Sequence, residues 1–184
     1  MQVPQEFVDA LMSLRSIEVP SSMQLREVDA PTKLAPFTAA LEANTVEERD
    51  GVPLSSGVLV ILHDPAGHEE WEGAWRLVAT VTGSLEHEMA DDPFLGAVAW
   101  SWLSRPLVEA GAPEHLITGT VTRVLSETFG GLRLRGGNTR VELRASWSPD
   151  STDLAPCVSA WLDAVREAGG IAPDGVASLH RYAS

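Results

Sequence analysis

The chain predicts an α+β protein. It reads as one two-layer domain, an antiparallel-rich sheet of about five strands with helices on one face. Three observations predict it. Apolar stripes of helical period lie near the start, in the middle and near the end of the sequence. Runs that alternate with period 2 lie between them. Residues 58–76 (VLVILHDPAGHEEWEGAWR) read as two strands joined by a polar turn. The predicted order is helix, three strands, helix, two strands, helix.

Pro4 opens an amphipathic helix reaching about Ile17. Phe7, Leu11 and Leu14 share its stripe, and proline is tolerated in a first turn. Residues 23–28 read as extended. In residues 37–46, Phe37, Ala39, Leu41 and Ala43 face one way, and Glu47-Glu48-Arg49-Asp50-Gly51 then turns the chain. The apolar run 58–62 ends at His63-Asp64-Pro65, because proline offers no ladder donor. From Ala74 the next strand puts Trp75, Leu77, Ala79 and Val81 on one face.

Acidic residues 85–92 lead to Asp92-Pro93, an N-cap followed by proline in the first helical position. The following helix carries Leu95, Val98, Ala99, Trp102 and Leu103 inward and ends or kinks before Pro106. Residues 116–125 form a strand, a glycine-rich tip follows, and residues 140–147 give the cleanest alternation. There Val141, Leu143, Ala145 and Trp147 point inward. The last helix starts within 150–153, buries Leu154, Val158, Trp161, Leu162 and Val165, and stops at Gly169-Gly170. The expected domain is 1–170, with 171–184 as a loosely ordered tail.

Composition narrows the function. Thirteen basic against twenty-six acidic residues leave a net charge of −13, which repels phosphate backbones and disfavours nucleic acid as a partner. A 44% apolar and 21% charged chain is an ordinary globular one. The single cysteine, Cys157, makes no internal disulfide and fits a reducing compartment. No secretory leader is readable, and no run nears the roughly 20 apolar residues that cross a bilayer. The expectation is a cytoplasmic protein without a membrane partner.

The element order resembles the small two-layer fold of type III secretion chaperones, which implies a fold and not an activity. The runs LHDPAGHEEWEGAWR, EMADDPFLGAVAWSWL, ITGTVTRVLSETFGGL and VELRASWSP resemble an actinobacterial family catalogued as a domain of unknown function, number three thousand in its series. That resemblance covers about residues 7–170. It implies a cytoplasmic protein with no established activity and no catalytic residues to transfer. A ribonuclease D-like exonuclease gene often neighbours the family's genes, which implies an indirect link to RNA metabolism.

Candidate sites follow from the topology. A strand of about 10 residues climbs roughly 33 Å, and a helix of about 15 returns roughly 22 Å. This brings His63, Asp64, His68, Glu69, Glu114, His115 and Trp147 to one end of the sheet, with His87 elsewhere. His63, His68, His115 and Glu114 are the candidate metal ligands there, although His-x4-His across a turn is no established zinc spacing and no HExxH helix is present. The structural reading has His63 capping a strand and Asp64 making an Asx-turn.

No G-x-S-x-G elbow occurs, Cys157 lies on a core stripe, and the glycines at 130, 131, 136 and 137 precede no Gly-Lys-Ser/Thr. No cofactor is implied. Trp71 sits in a polar connection and reads as an exposed anchor or a lid over the core. Arg133, Arg135, Arg140 and Arg144 form a basic run, with Arg133 and Arg135 at the hairpin tip and the other two on an outward strand face. They are candidates for docking an acidic protein surface or, second to it, RNA. Two functions stay open: a non-enzymatic protein-binding adaptor or chaperone-like module, and a metal-dependent enzyme or small-ligand binder using the His63 to Trp71 end.

Overall fold

The computed structural model describes residues 2–131 and 138–175. Its centre is one six-stranded antiparallel sheet with strand order β1-β2-β5-β6-β8-β7. The strands are β1 (Met23–Val28), β2 (Phe37–Thr45), β5 (Ser55–His68), β6 (Gly73–Leu85), β7 (Thr118–Ser126) and β8 (Asn138–Trp147). Between β2 and β5, β3 (Glu48–Arg49) and β4 (Val52–Pro53) form a small hairpin. Its tip, Asp50-Gly51, has positive φ at both residues, the geometry an Asp-Gly turn adopts readily. The α+β class and antiparallel sheet are as predicted. The sheet has six strands where five were expected, because residues 23–28 pair fully with β2.

The helices are α1 (Gln5–Ser13), the short α2 (His87–Ala90), α3 (Leu95–Glu109) and α4 (Ala155–Ala168). Phe7 of α1, Leu95, Ala99, Leu103 and Leu107 of α3, Val158, Trp161, Leu162 and Val165 of α4, and Leu154 at the N-cap of α4 are buried in the core. The strands meet them with the inward series read from alternation: Trp75, Leu77, Ala79 and Val81 on β6, and Val141, Leu143, Ala145 and Trp147 on β8. Gly57 lets α4 come close. A Cβ there would lie 2.5 Å from the Thr80 carbonyl and 2.8 Å from Val165, and the same carbonyl accepts the Trp161 indole N–H at 3.1 Å.

Several boundaries differ from the sequence reading, each for a local reason. β5 does not stop at His63 but continues through Pro65 to His68. The register shifts between His63 and His68, so Pro65 sits where no ladder donor is required. α3 passes Pro106 and ends at Glu109, since the proline falls in the last turns and the fully buried Leu103 and Leu107 hold both sides. Asp92 does not cap that helix directly. Its Oδ1 accepts the Phe94 N–H at 2.8 Å, one turn early. Val98 is exposed and not inward. β7 starts at Thr118, because residues Glu114–Leu116 form a 3-10 turn in which His115 lies. After Gly170, Arg166 donates to the Ile171 carbonyl, and the Asp174 carboxylate accepts from Ser21 N at 3.3 Å and Oγ at 3.2 Å.

Candidate functional site

The β5–β6 hairpin reaches the end of the sheet where β8 finishes and β7 begins, and polar contacts bind these pieces together. Ser148 donates its hydroxyl to the Trp71 carbonyl at 2.7 Å and accepts from Arg76 Nη1 at 3.2 Å. Arg76 also donates to the Leu116 carbonyl at 3.1 Å and to Ser146 Oγ at 2.8 Å. Burial lowers the pKa of this guanidinium from its ordinary value, and the Glu70 carboxylate opposes the shift. Glu72, in a left-handed conformation after the 3-10 turn Glu69–Trp71, holds His115 at 3.1 Å. Both of those side chains are more than half exposed, so their pairing adds little stability.

His63 behaves differently from a strand cap. It is fully buried, stacked on Trp75 at 4.1 Å and on Phe7 at 5.9 Å. Its Nδ1 lies 3.2 Å from the Ala74 carbonyl, which can only accept, so Nδ1 carries the proton. Nε2 lies 3.0 Å from Glu6 Oε1 but is not aligned for a hydrogen bond. The position was legible in parity: Leu59, Ile61 and His63 alternate onto one face. Asp64 accepts the Ala66 N–H at 3.0 Å, the Asx-turn of the structural reading. His68 stacks on the half-buried Trp71 at 4.8 Å.

The four candidate ligands therefore lie in separate surroundings. His63 is in the core, His68 is on Trp71, His115 is on Glu72, and Glu114 is exposed. Among the described residues no three His, Cys, Asp or Glu side chains gather as a metal site. Ser148 has no histidine partner in its hydrogen bonds, and its proton goes to a carbonyl. Cys157 is buried, which raises its thiol to about 11 and keeps it protonated at neutral pH.

The basic run is only partly described, since Arg133 and Arg135 lie outside the described residues. Arg140 and Arg144 do share the outward face of β8, but Glu142 holds Arg144 at 2.6 Å. Arg123 turns to the helix side, donating to the Ala90 and Asp92 carbonyls at 2.9 Å each. Arg140 is exposed, and no ion pair forms on it among the described residues.

Sequence reasoning missed two surfaces. One is a cleft of about 450 Å³ between α3 and the start of β7, lined by Trp100, Ser104, Arg105, Val108, Glu114 and Ile117. The signal was the spacing of Trp100, Ser104 and Val108 on α3, a second stripe beside the core one. The other is the open sheet face. Val28, Ala40, Val60 and Val78 stand in register across four adjacent strands on the side away from the helices, with Val58 one row along.

Fold and site together define an α+β sheet protein whose polar hairpin end ties strands to one another. The chain belongs to the family described as "Protein of unknown function (DUF3000)", whose model it matches over residues 3–177. No curated protein and no solved structure matches it. Among the described residues no helix is long and apolar enough to cross a membrane.

Proposed function

We propose that the protein is a cytoplasmic, non-enzymatic binding module, an adaptor or chaperone-like domain whose partner is another protein. The observation that carries this reading is the valine row on the open sheet face. Val28 and Val60 are half-buried, Val58 and Val78 exposed and Ala40 buried between its neighbours, and among the described residues the helices pack on the opposite face. Exposed valines on a sheet face, here Val58 and Val78 beside the half-buried Val60, are what a protein partner covers. The polar groups at the hairpin end support the same reading from the other side. Arg76, Ser146 and Ser148 are already committed to one another and to carbonyls. Ser146 faces Val78 on β8, with Arg144 one row along and Arg140 further up the same outward face, and Trp71 stands at the hairpin tip; they form the polar and aromatic margin of the docking surface.

The test is affinity capture from native lysate with wild type and with Val58→Lys/Val78→Lys, both positions exposed enough to accept lysine. Reproducible partners held by wild type and lost by the double variant, at unchanged circular dichroism, are the expected result. Partners recovered equally by both proteins, or none recovered reproducibly by wild type, would overturn it.

A further inference from the structure

The two outermost strands of the sheet are β1 and β7, and β7 is the longer and barer. It pairs with β8 at all nine positions from Thr118 to Ser126 without a register irregularity, and among the described residues no strand pairs with its other side. Every residue in it is exposed or half-buried. An open edge presents a row of unpaired N–H and C=O groups, and proteins normally guard it with lysine, proline, a bulge or shortness. β7 has none of these. Its one charge, Arg123, points inward, which is a guard in its own right, but its guanidinium is engaged by the Ala90 and Asp92 carbonyls.

We propose that this edge is covered by a second copy of the chain. The two β7 strands pair antiparallel about a two-fold axis at Thr122, joining two six-stranded sheets into one. Keeping the helices of both copies on the same face requires opposed residues to point the same way, so the axis must pass through a residue. Thr122 is the middle of the nine, and the register centred on it uses the whole strand.

That register is self-complementary. On the open face it sets Thr122 on Thr122 and Thr120 against Val124. On the helix face it sets Leu125 against Gly119. Leu125 is 61% exposed. Gly119 has no side chain, and the Trp100 indole fills the space above it, since a Cβ there would lie 2.5 Å from the ring. Leu125 of the second copy would therefore seat on Trp100, and symmetry repeats the contact. Phe94 (71% exposed) and Val98, one turn apart at the start of α3, add apolar surface in the helix layer. The Arg123 bonds to the Ala90 and Asp92 carbonyls hold that end of α3 beside the edge.

Charge points to the same strand. Two copies of net charge −13 repel each other, and β7 carries no acidic residue, so contact here places no carboxylate from either strand on the axis. Added salt then strengthens the dimer by screening the net repulsion, the reverse of its effect on a complex between opposite charges.

The inference is independent of the partner reading above, because the open valine face remains free in the dimer. Sedimentation equilibrium across protein concentration, at low and high salt, compares wild type with Thr120→Lys/Thr122→Lys. Both side chains are exposed on the face away from α3. The expected result is a wild-type dimer, tighter in high salt, and an affinity loss of roughly tenfold or more in the variant from like charges on the axis. Thr122→Cys fixes the register independently of that variant's folding: it should oxidise to a covalent dimer, whereas Val124→Cys should not, because Val124 faces Thr120. A monomer at every concentration, a dimer indifferent to the lysine pair, or cross-linking at 124 in preference to 122 would each overturn the proposal.

Discussion

The two edges of the sheet solve the same problem in opposite ways. β1 is six residues long, carries Arg26 and Glu27, and pairs Arg26 with Glu42 of the neighbouring strand. Short length and charge close an edge to strand addition. β7 has nine residues, mostly Thr, Val and Leu, and closes nothing. Its side chains contribute little burial, so β7 is held by its ladder to β8 and by Arg123 reaching the α2–α3 connection. Stability at this side of the molecule therefore depends on β8, and β8 depends on its inward residues.

The sharpest way to break the contrast is at Trp147. It is fully buried at the end of β8. Trp147→Ala should lower stability by about 3–5 kcal/mol, as large-to-small core changes do, and amide exchange should rise in β7 before β1. An unchanged melting temperature, or equal exchange at both edges, would show that β7 does not hang on this anchor. Gly119→Ala should come next, at about 1–3 kcal/mol, because its Cβ would meet the Arg144 carbonyl and the Trp100 ring. The change in Trp100 fluorescence checks that the ring has moved. The smallest effect belongs to β1: Arg26→Ala removes an exposed ion pair and should cost about 0–1 kcal/mol by chemical denaturation. A larger loss would mean that charge holds β1 in place as well as guarding it.

A pH series separates the interior from both edges. The Cys157 thiol is raised to about 11 by burial, above the roughly 8.5 of an unfolded cysteine. Between those values the unfolded chain has lost the proton and the native chain keeps it, so this contribution to stability is complete below the lower value and falls as pH rises through the upper one. Cys157→Ser, lacking that titration, should flatten the alkaline decline seen by thermal unfolding.

Much of this was legible in the chain because alternation survives burial. The inward sets of β6 and β8 and the core stripe of α4 follow directly from period 2 and period 3.6. What was hidden depends on distant partners. Pro65 reads as a strand end until the β5–β6 register shift is known, and Pro106 reads as a helix end until Leu103 and Leu107 are seen to be buried together. The end of the sheet was placed correctly as a meeting point for His115 and the hairpin, which Glu72 joins. The surroundings of His63 were misjudged there, since a polar residue name outweighed its parity with Leu59 and Ile61. Arg123 lies near the basic run in sequence, but its pairing with Val141 puts it on the helix side, apart from Arg140 and Arg144.

The strand order has a kinetic consequence. β1, β2, β5 and β6 are spatial neighbours in sequence order, so that part of the sheet can grow by successive short closures. β7 and β8 likewise form their own hairpin. Among the described strands the β6–β8 seam pairs the two parts, and its contacts bridge long loops, as between Arg76 and Ser146, 70 positions apart. Closing such a loop is the entropically expensive event, so the folding barrier belongs at that seam. Substitutions facing it on β6 and β8 would slow folding itself, while those at the rim on β1 would leave the folding rate alone and hasten unfolding.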